Sequence, residues 1–156
     1  MPATNLHATA IVLGDRCVLV TGPSGSGKTT LALSLIARWS GDGRYARLVS
    51  DDQVFLSARH GRLVCRQAST IAGLAEIVPL GPREVAAAPA AVVDLVVALR
   101  PAAEIARLTE IGEVELAGVA VPSVGLSMRS ASASVVAVAS LLGEAPFRAN
   151  GAVRRR

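Results

Sequence analysis

The clearest chemical signal in this sequence is a glycine-rich loop that carries its one lysine. Residues 22–29 read GPSGSGKT and match the phosphate-binding loop (P-loop) pattern G-x-x-x-x-G-K-[ST] at every fixed position. All other basic side chains are arginines, but a compact ammonium reaches the β- and γ-phosphates of a nucleotide where a broad guanidinium does not fit. The pattern predicts a nucleotide site made of Gly22, Pro23, Ser24, Gly25, Ser26, Gly27, Lys28, Thr29 and Thr30.

The segments on either side of the P-loop have the patterns that the motif requires. Residues 17–21 are continuously apolar, as in a buried strand, and a helical pattern runs from Lys28 to just before Gly41. A strand followed by a glycine loop and a helix directs backbone N–H groups and the positive end of the helix dipole at bound phosphate. The hydroxyl of Thr29 is then available to Mg²⁺.

Two adjacent carboxylates, Asp51 and Asp52, follow a short apolar strand predicted over residues 47–50. Adjacent aspartates are often only a solvated turn. Here we expect their strand to lie beside the P-loop strand, which brings its carboxyl end near the phosphates. One carboxylate can then hold Mg²⁺ while the other accepts a proton from an attacking hydroxyl. The context therefore favours a catalytic function for the pair.

The remaining segments fit one α/β domain over residues 1–156. Apolar side chains make up 51% of the chain and aromatic ones 3%, so Ala, Val, Leu and Ile must fill the core. Further elements are predicted as a strand over 7–13, a hairpin of 54–56 with 62–65, a strand over 91–99, a helix from Pro101 to Leu108, a strand over 114–121 and a helix over 132–142. The tail from about residue 144 is expected to fray.

Charge and cysteine usage exclude several classes of function. The net charge of +4 includes three arginines at 154–156, and single-strand binders need aromatic platforms that this chain lacks, so no nucleic acid partner is expected. Cys17 and Cys65 form no close-spaced metal or redox motif. The longest apolar stretch, 86–99, is too short to span a bilayer. A cytoplasmic protein with reduced thiols and no membrane partner is predicted.

Several motifs in a fixed order resemble the catalytic domain of bacterial HPr kinase/phosphorylase, in a short form without the usual N-terminal domain. His7 opens a strand fifteen residues before the P-loop, and LVSDDQV follows at 48–54. LAEIVPLG at 74–81 resembles the family signature L-x-E-[IV]-R-G-L-G, and ARL at 106–108 resembles a later D-R-L segment. The resemblance rests on this combination, because a P-loop alone identifies no family.

The resemblance implies a fold, a reaction and partners. The fold would be a P-loop kinase domain of the HPr kinase/phosphoenolpyruvate carboxykinase-like type, with a central mixed sheet flanked by helices. ATP with Mg²⁺ would phosphorylate a serine of HPr, or of its nitrogen-pathway homologue, and phosphorolysis would reverse the reaction. The resemblance also implies a homo-oligomer, a hexamer in the family. Thr29, Asp52 and Glu76 would hold the metal.

The resemblance also implies roles for three further side chains. Asp51 would be the base when the serine attacks the γ-phosphate, and the acid in the reverse direction. His7 would lie near Asp51 and tune its protonation. Arg107 would stabilise phosphoryl charge from a mobile loop. Without the resemblance, His7 reads as a surface histidine at a strand start and Arg107 as an exposed arginine.

Departures from the family pattern leave alternatives open. Val78-Pro79 replaces the Arg-Gly of the signature, which removes a charge and a flexible glycine from a loop associated with the phosphorylase reaction. Kinase activity is therefore the better supported direction. A nucleotide-binding regulatory protein without turnover is one alternative. A small-molecule P-loop kinase is another, disfavoured by the Ala, Val and Pro content after Arg83. A GTPase is disfavoured because no N-K-x-D signature occurs.

Overall fold

A mixed β-sheet with two helices forms the body of the protein in the computed structural model, which describes residues 3–147 and Val153. The strands are β1 (Thr4–Leu6), β2 (Ala8–Leu13), β3 (Arg16–Thr21), β4 (Ala46–Ser50), β5 (Val54–Arg59), β6 (Arg62–Gln67), β7 (Leu74–Ile77), β8 (Gly81–Glu84), β9 (Ala90–Arg100), β10 (Gly112–Leu116) and β11 (Val119–Ser127). The helices are α1 (Lys28–Gly41) and α2 (Ala131–Leu141), and short 3₁₀ turns cover Ser69–Ile71 and Ala102–Glu104. Within these described residues, neither α-helix is long and apolar enough to cross a membrane.

The strand order around the P-loop differs from the prediction in one respect. β4 does not lie beside β3, because β2 lies between them and pairs antiparallel with both. β4 therefore runs parallel to β3, one strand removed, and its carboxyl end still lies at the same edge of the sheet. The sequence contains no direct signal for this, since a two-residue turn at 14–15 is enough to fold β2 back onto β3.

β9 is the central strand, and it pairs with three others. Its first residues pair antiparallel with β6, and its later residues pair parallel with β3 and β11. β9 is buried from Val93 to Val97, and apart from Asp94 all its residues before Arg100 are alanine, valine or leucine. The carboxyl ends of β3, β4, β9 and β11 consequently meet at one edge of the sheet.

The two faces of the sheet are covered by different elements. One core cluster contains Leu31, Leu35 and Trp39 of α1 together with Val138 and Ala139 of α2, packed on alternate residues of the central strands. The other cluster joins the opposite face of those strands to the apolar residues of the β5–β6 hairpin. Both helices therefore lie on the same face, and an antiparallel hairpin covers the other.

Two local predictions in the second half of the chain are wrong. Residues 114–121 are not one strand, since a turn at Ala117-Gly118 separates β10 from β11, with φ 48° and 77° at the two turn residues. β11 also continues through Pro122 to Ser127. The helix predicted from Pro101 to Leu108 is only a 3₁₀ turn, Ala102–Glu104. The β5–β6 hairpin, α1 and α2 are confirmed.

The predicted frayed tail begins with ordered contacts. Arg44 and Glu144 form an ion pair in which Nη2 donates to Oε1 at 2.9 Å. Val153 is buried in the core cluster that contains residues of α1 and α2. Its N–H donates to the Leu141 carbonyl at 2.7 Å, and its own carbonyl accepts from Arg16. The fraying of the tail stays a prediction. The rest of the tail, 148–152 and 154–156, lies outside the described residues.

Candidate active site

The P-loop connects β3 to α1 and leaves the start of the helix open. Gly22, Gly25 and Gly27 have φ of 152°, 76° and 95°, values that side-chain-bearing residues rarely adopt. A Cβ on Gly22 would lie 2.7 Å from the Ser26 hydroxyl oxygen and 3.1 Å from the Leu99 Cβ. The first turn of α1, residues 28–31, contains no acidic side chain. The positive end of the α1 dipole is thus not neutralised by an acidic side chain of its own first turn.

Lys28 is held back against its own loop. Its ammonium donates to the carbonyl oxygens of Gly22 at 2.9 Å and Pro23 at 3.1 Å, and its Nζ lies 3.2 Å from the His7 Nε2. Lys28 is 6% exposed. These three contacts therefore compensate its ammonium for the hydration that it loses on burial. Lys28 will leave these neutral acceptors for a phosphate only if the phosphate binds its ammonium more strongly.

His7 joins Lys28 to Asp52. Because an ammonium can only donate, the His7 Nε2 accepts from Lys28, and the ring proton of a neutral imidazole must then lie on Nδ1. That nitrogen is 3.2 Å from the Asp52 Oδ1. The contacts therefore assign a neutral His7 that donates to Asp52, in a bend between β1 and β2. The histidine predicted to lie near Asp51 makes its described contacts with the neighbouring carboxylate instead.

A tight three-residue turn over residues 51–53 follows β4 and contains both aspartates. The Gln53 N–H donates to the Asp51 carbonyl at 2.8 Å across Asp52, whose φ is 66°. Such a turn is strained, and strain of this kind is concentrated at functional sites. The turn directs one carboxylate inward and the other outward: Asp51 is 4% exposed, whereas the Asp52 side chain is 66% exposed.

The buried Asp51 carboxylate accepts three hydrogen bonds. Its Oδ1 accepts from the hydroxyls of Thr9 and Thr29, both at 2.8 Å, and its Oδ2 accepts from the Glu76 N–H at 3.2 Å. The bond from Thr29 links this carboxylate directly to the P-loop. Thr9 is a site residue that the sequence did not reveal, because a single threonine in an apolar strand carries no distinguishing pattern.

One cavity of about 510 Å³ brings most of the predicted residues together. It is lined by the P-loop and by the acidic residues Asp51, Asp52 and Glu76, with Ile77 and Val78 of the β7–β8 hairpin at its rim. Arg107 does not line this cavity. It is an exposed residue on the segment that follows Ala102–Glu104, which starts from the same edge of the sheet.

The residues of this cavity fit a magnesium ion that is shared with phosphate. Among residues 3–147 and 153, no cluster of three or more His, Cys, Asp or Glu side chains is arranged as a metal cage. Mg²⁺ rarely uses such a cage in nucleotide sites, since one or two carboxylates, waters and phosphate oxygens complete its octahedron. Thr29 and the acidic side chains provide hard oxygen ligands of this kind at the start of α1.

Arg129 is a second residue at the P-loop that the sequence did not reveal. It lies between β11 and α2 with φ 54°. Its backbone N–H donates to the Ser26 carbonyl at 3.0 Å, and its Nε donates to the Gly25 carbonyl at 3.0 Å. No sequence signal could have found it, because one arginine among fifteen becomes distinctive only through the strand order that brings β11 to the P-loop.

The fold and the loop together define an α/β protein with a mixed sheet and, at its carboxyl edge, a loop that has the P-loop sequence pattern. The fold is that of the Hpr(Ser) kinase/phosphatase from Coxiella burnetii, whose solved structure matches with a TM-score of 0.74 over 86% of this chain and 93% of that chain, at 23% sequence identity. This confirms the predicted α/β class with its mixed sheet.

Curated relatives confirm the predicted resemblance to HPr kinase/phosphorylase. Proteins of that name from Clostridium beijerinckii and Clostridium tetani are 36% and 35% identical to this chain over 80 residues, which is 51% of this chain and 24% of each relative. One from Clostridium perfringens is 35% identical over 86 residues, 55% of this chain and 26% of the relative. The matched segment thus spans about a quarter of these relatives. No protein-family model matches the chain.

Proposed function

We propose that this protein is an ATP- and Mg²⁺-dependent serine kinase whose substrate is an HPr-type phosphocarrier protein. The observation that carries the proposal is the link from the P-loop hydroxyl of Thr29 to the buried Asp51, with the exposed Asp52 beside it in the same cavity. The names of the relatives and of the matching structure supply the substrate class. The cytoplasm is the proposed location, and a homo-oligomer, in family terms a hexamer, is the proposed assembly.

The contacts favour a division of roles opposite to the one that the resemblance implies. Asp51 is buried and already accepts three hydrogen bonds, so a substrate hydroxyl has little access to it. Its contact with Thr29 suits the carboxylate that holds the metal in P-loop enzymes, directly or through water. Asp52 is exposed and is contacted by a neutral His7. We therefore assign proton acceptance to Asp52 and metal positioning to Asp51, Thr29 and Glu76.

The reaction that these residues support is an in-line phosphoryl transfer. The serine oxygen of the phosphocarrier forms a bond to the γ-phosphorus while the bond to the β,γ-bridging oxygen breaks and ADP leaves. The serine proton passes to Asp52. Lys28 would exchange its carbonyl contacts for the β- and γ-phosphates, and a Mg²⁺ ion held by Asp51, Thr29 and Glu76 would neutralise phosphate charge. Positioning and charge neutralisation provide most of the rate enhancement.

Two features favour a protein substrate and the kinase direction. The tip of the β7–β8 hairpin, at the rim of the cavity, exposes Val78 and Leu80, which are 83% and 60% accessible. Exposed apolar side chains beside a catalytic cavity are typical of a protein-docking surface. The same tip lacks the arginine of the family signature, so we propose forward transfer as the main activity and phosphorolysis as a weaker one.

Transfer of labelled γ-phosphate to a purified HPr-type protein tests the proposal. With ATP and Mg²⁺ we expect phosphoserine on the phosphocarrier, identified by mass spectrometry, and no label with Lys28→Met, because this change removes the one ammonium at the phosphates. ATP binding in calorimetry without transfer to any HPr-type protein would contradict the kinase and support the regulatory alternative. ATP consumption with nucleosides or small hydroxy acids alone would instead support a small-molecule kinase.

A further inference from the structure

A second cavity, of about 320 Å³, lies on the other side of the P-loop. It shares Gly25, Gly27 and Thr30 with the cavity described above, which contains Asp51, Asp52 and Glu76 and is called the acidic cavity from here on. Neither Lys28 nor any of these three carboxylates lines the second cavity. Its other walls come from the start of α1, the end of β9, the end of β11 and the first turns of α2. The acidic cavity lies toward β4, on the opposite side of β3.

The P-loop fixes the direction in which a nucleotide must lie. Lys28 and Thr29 mark the β- and γ-phosphate end, because the lysine of a P-loop reaches those phosphates and the hydroxyl reaches the metal. Asp51 and Asp52 lie at that end. The α-phosphate and the nucleoside must therefore leave the loop on the side away from the carboxylates, which is the side of the second cavity.

The chemistry of the second cavity fits a nucleoside. Leu31, Leu99 and Ala131 provide apolar surface for the face of a base, and Ser127, Ser130 and Ser134 surround them with hydroxyl-bearing residues. Its volume falls within the ~300–1,000 Å³ range of small-molecule sites, which are mostly apolar with a few polar groups. Arg129, fastened to the Gly25 and Ser26 carbonyls, places a positive charge at the junction with the P-loop.

We propose that the cavity between the P-loop and the β11–α2 turn is the nucleoside subsite, with Arg129 at the ribose and α-phosphate and Ala131 beneath the base. The inference rests on the proposed function, since it assumes that the P-loop binds a nucleoside triphosphate. It adds the specificity-determining region, which lies 70 or more residues after the aspartates along the chain and outside the motifs that led to the site.

A matched pair of alanines on α2 tests the proposal. Ala131 is half-buried and lines the cavity, whereas Ala133 is exposed two residues later in the same turn. Ala131→Leu is expected to weaken ATP binding about tenfold or more, because the added side chain occupies the apolar surface meant for the base. Binding of inorganic triphosphate is expected to remain unchanged. Ala133→Leu is expected to change neither, because Leu and Ala have similar helix propensities and the site is open to solvent.

Calorimetry with both ligands separates the possible outcomes. Wild-type protein that binds inorganic triphosphate as tightly as ATP would overturn the nucleoside subsite but leave the phosphate site intact. Failure to bind either ligand would contradict the proposed function and with it the inference. Equal weakening of both ligands by Ala131→Leu would mean that the change distorts the P-loop, and would overturn the separate role of this cavity.

A measurement on the unmodified protein decides the question even if Ala131→Leu does not fold. Amide hydrogen exchange is compared between the ATP-bound and the triphosphate-bound states. The nucleoside is expected to add protection in residues 127–134, at the end of β11 and the start of α2. Additional protection confined to the β7–β8 hairpin or to residues 51–53 would place the nucleoside in the acidic cavity and overturn the proposal.

Discussion

Asp51→Asn is expected to destabilise the protein, because the carboxylate that it removes is buried and accepts three hydrogen bonds. The new amide oxygen can accept from the Glu76 N–H, and the amide N–H groups can donate to the Thr9 and Thr29 hydroxyls once these rotate. All three contacts can persist as neutral hydrogen bonds, but the hydroxyl proton of the buried Thr9 loses its acceptor. At about 1 kcal/mol for each bond that loses its charge, the loss of stability reaches about 3 kcal/mol; the easier burial of a neutral amide lowers this figure and the unpaired Thr9 proton raises it.

Urea unfolding measures this loss directly. For a slope of about 2 kcal/mol/M, a loss of about 3 kcal/mol lowers the midpoint by about 1.5 M. The rotated Thr29 hydroxyl would also accept a hydrogen bond from the new side-chain amide, which leaves this hydroxyl less able to bind a metal. Mg²⁺ is therefore expected to strengthen ATP binding to the wild-type protein much more than to the variant, as measured by calorimetry with and without the ion.

Asp52→Asn is the matched control, because asparagine tolerates the positive φ of 66° at this exposed position. The free energy of unfolding is expected to stay within about 0.5 kcal/mol of the wild-type value. Mg²⁺-dependent ATP binding is expected to persist, while phosphoryl transfer falls by about 10²–10⁴ for loss of a general base. Full transfer activity in Asp52→Asn, together with loss of transfer but not of metal-dependent binding in Asp51→Asn, would refute this division of roles.

Two further predictions concern the loop and the core. Gly22→Ala is expected to abolish ATP binding in calorimetry, because Gly22 has φ 152° and a Cβ there would lie 2.7 Å from the Ser26 hydroxyl oxygen. Gly41→Ala, in α1, is the control: a Cβ there meets nothing within 4 Å, and ATP binding is expected to be preserved. ATP binding by both variants would contradict the tight packing of the loop around Gly22. The hydrogen bond with Cys65 and, to a smaller extent, burial raise the pKa of the Cys17 thiol in the folded protein. As the pH rises, this thiol therefore loses its proton in the unfolded chain before it does so in the folded one. The free energy of unfolding is expected to fall as the pH rises above about 8.5. Chemical unfolding at pH 7 and 9.5 measures this fall, which should be smaller in Cys17→Ala/Cys65→Ala; equal falls in the two proteins would contradict it.

The loop of the proposed phosphate site was predictable because its residues are adjacent in sequence. Residues 22–29 form one uninterrupted motif, and a strand and a helix on either side are readable from hydrophobic periodicity. Asp51 could be placed near the loop because parallel strands end at one edge of a sheet. The position of β2 between β3 and β4 was not predictable in this way, because β3 and β4 end at the same edge of the sheet whether or not an antiparallel strand lies between them.

The parts that the sequence did not reveal depend on backbone conformations and distant contacts. The β10–β11 turn uses Ala117 at positive φ, a residue that seldom adopts it, so only Gly118 was available as a signal. Arg129 reaches the P-loop through an equally uncommon φ of 54°. The different surroundings of Asp51 and Asp52 arise from one strained turn, which two identical adjacent letters cannot indicate.

The position of the P-loop strand in the sheet also determines when during synthesis the site can form. β3 pairs with β2, its neighbour in sequence, on one side and with β9 on the other. A nascent chain that ends before Ala90 therefore leaves β3 with an open, apolar edge of the kind that promotes aggregation. The loop that β3 carries has no second wall until Leu99 and Arg129 have emerged from the ribosome. In a series of ribosome-bound chains, the proposed nucleotide binding is therefore expected only once the residues up to Arg129 have emerged.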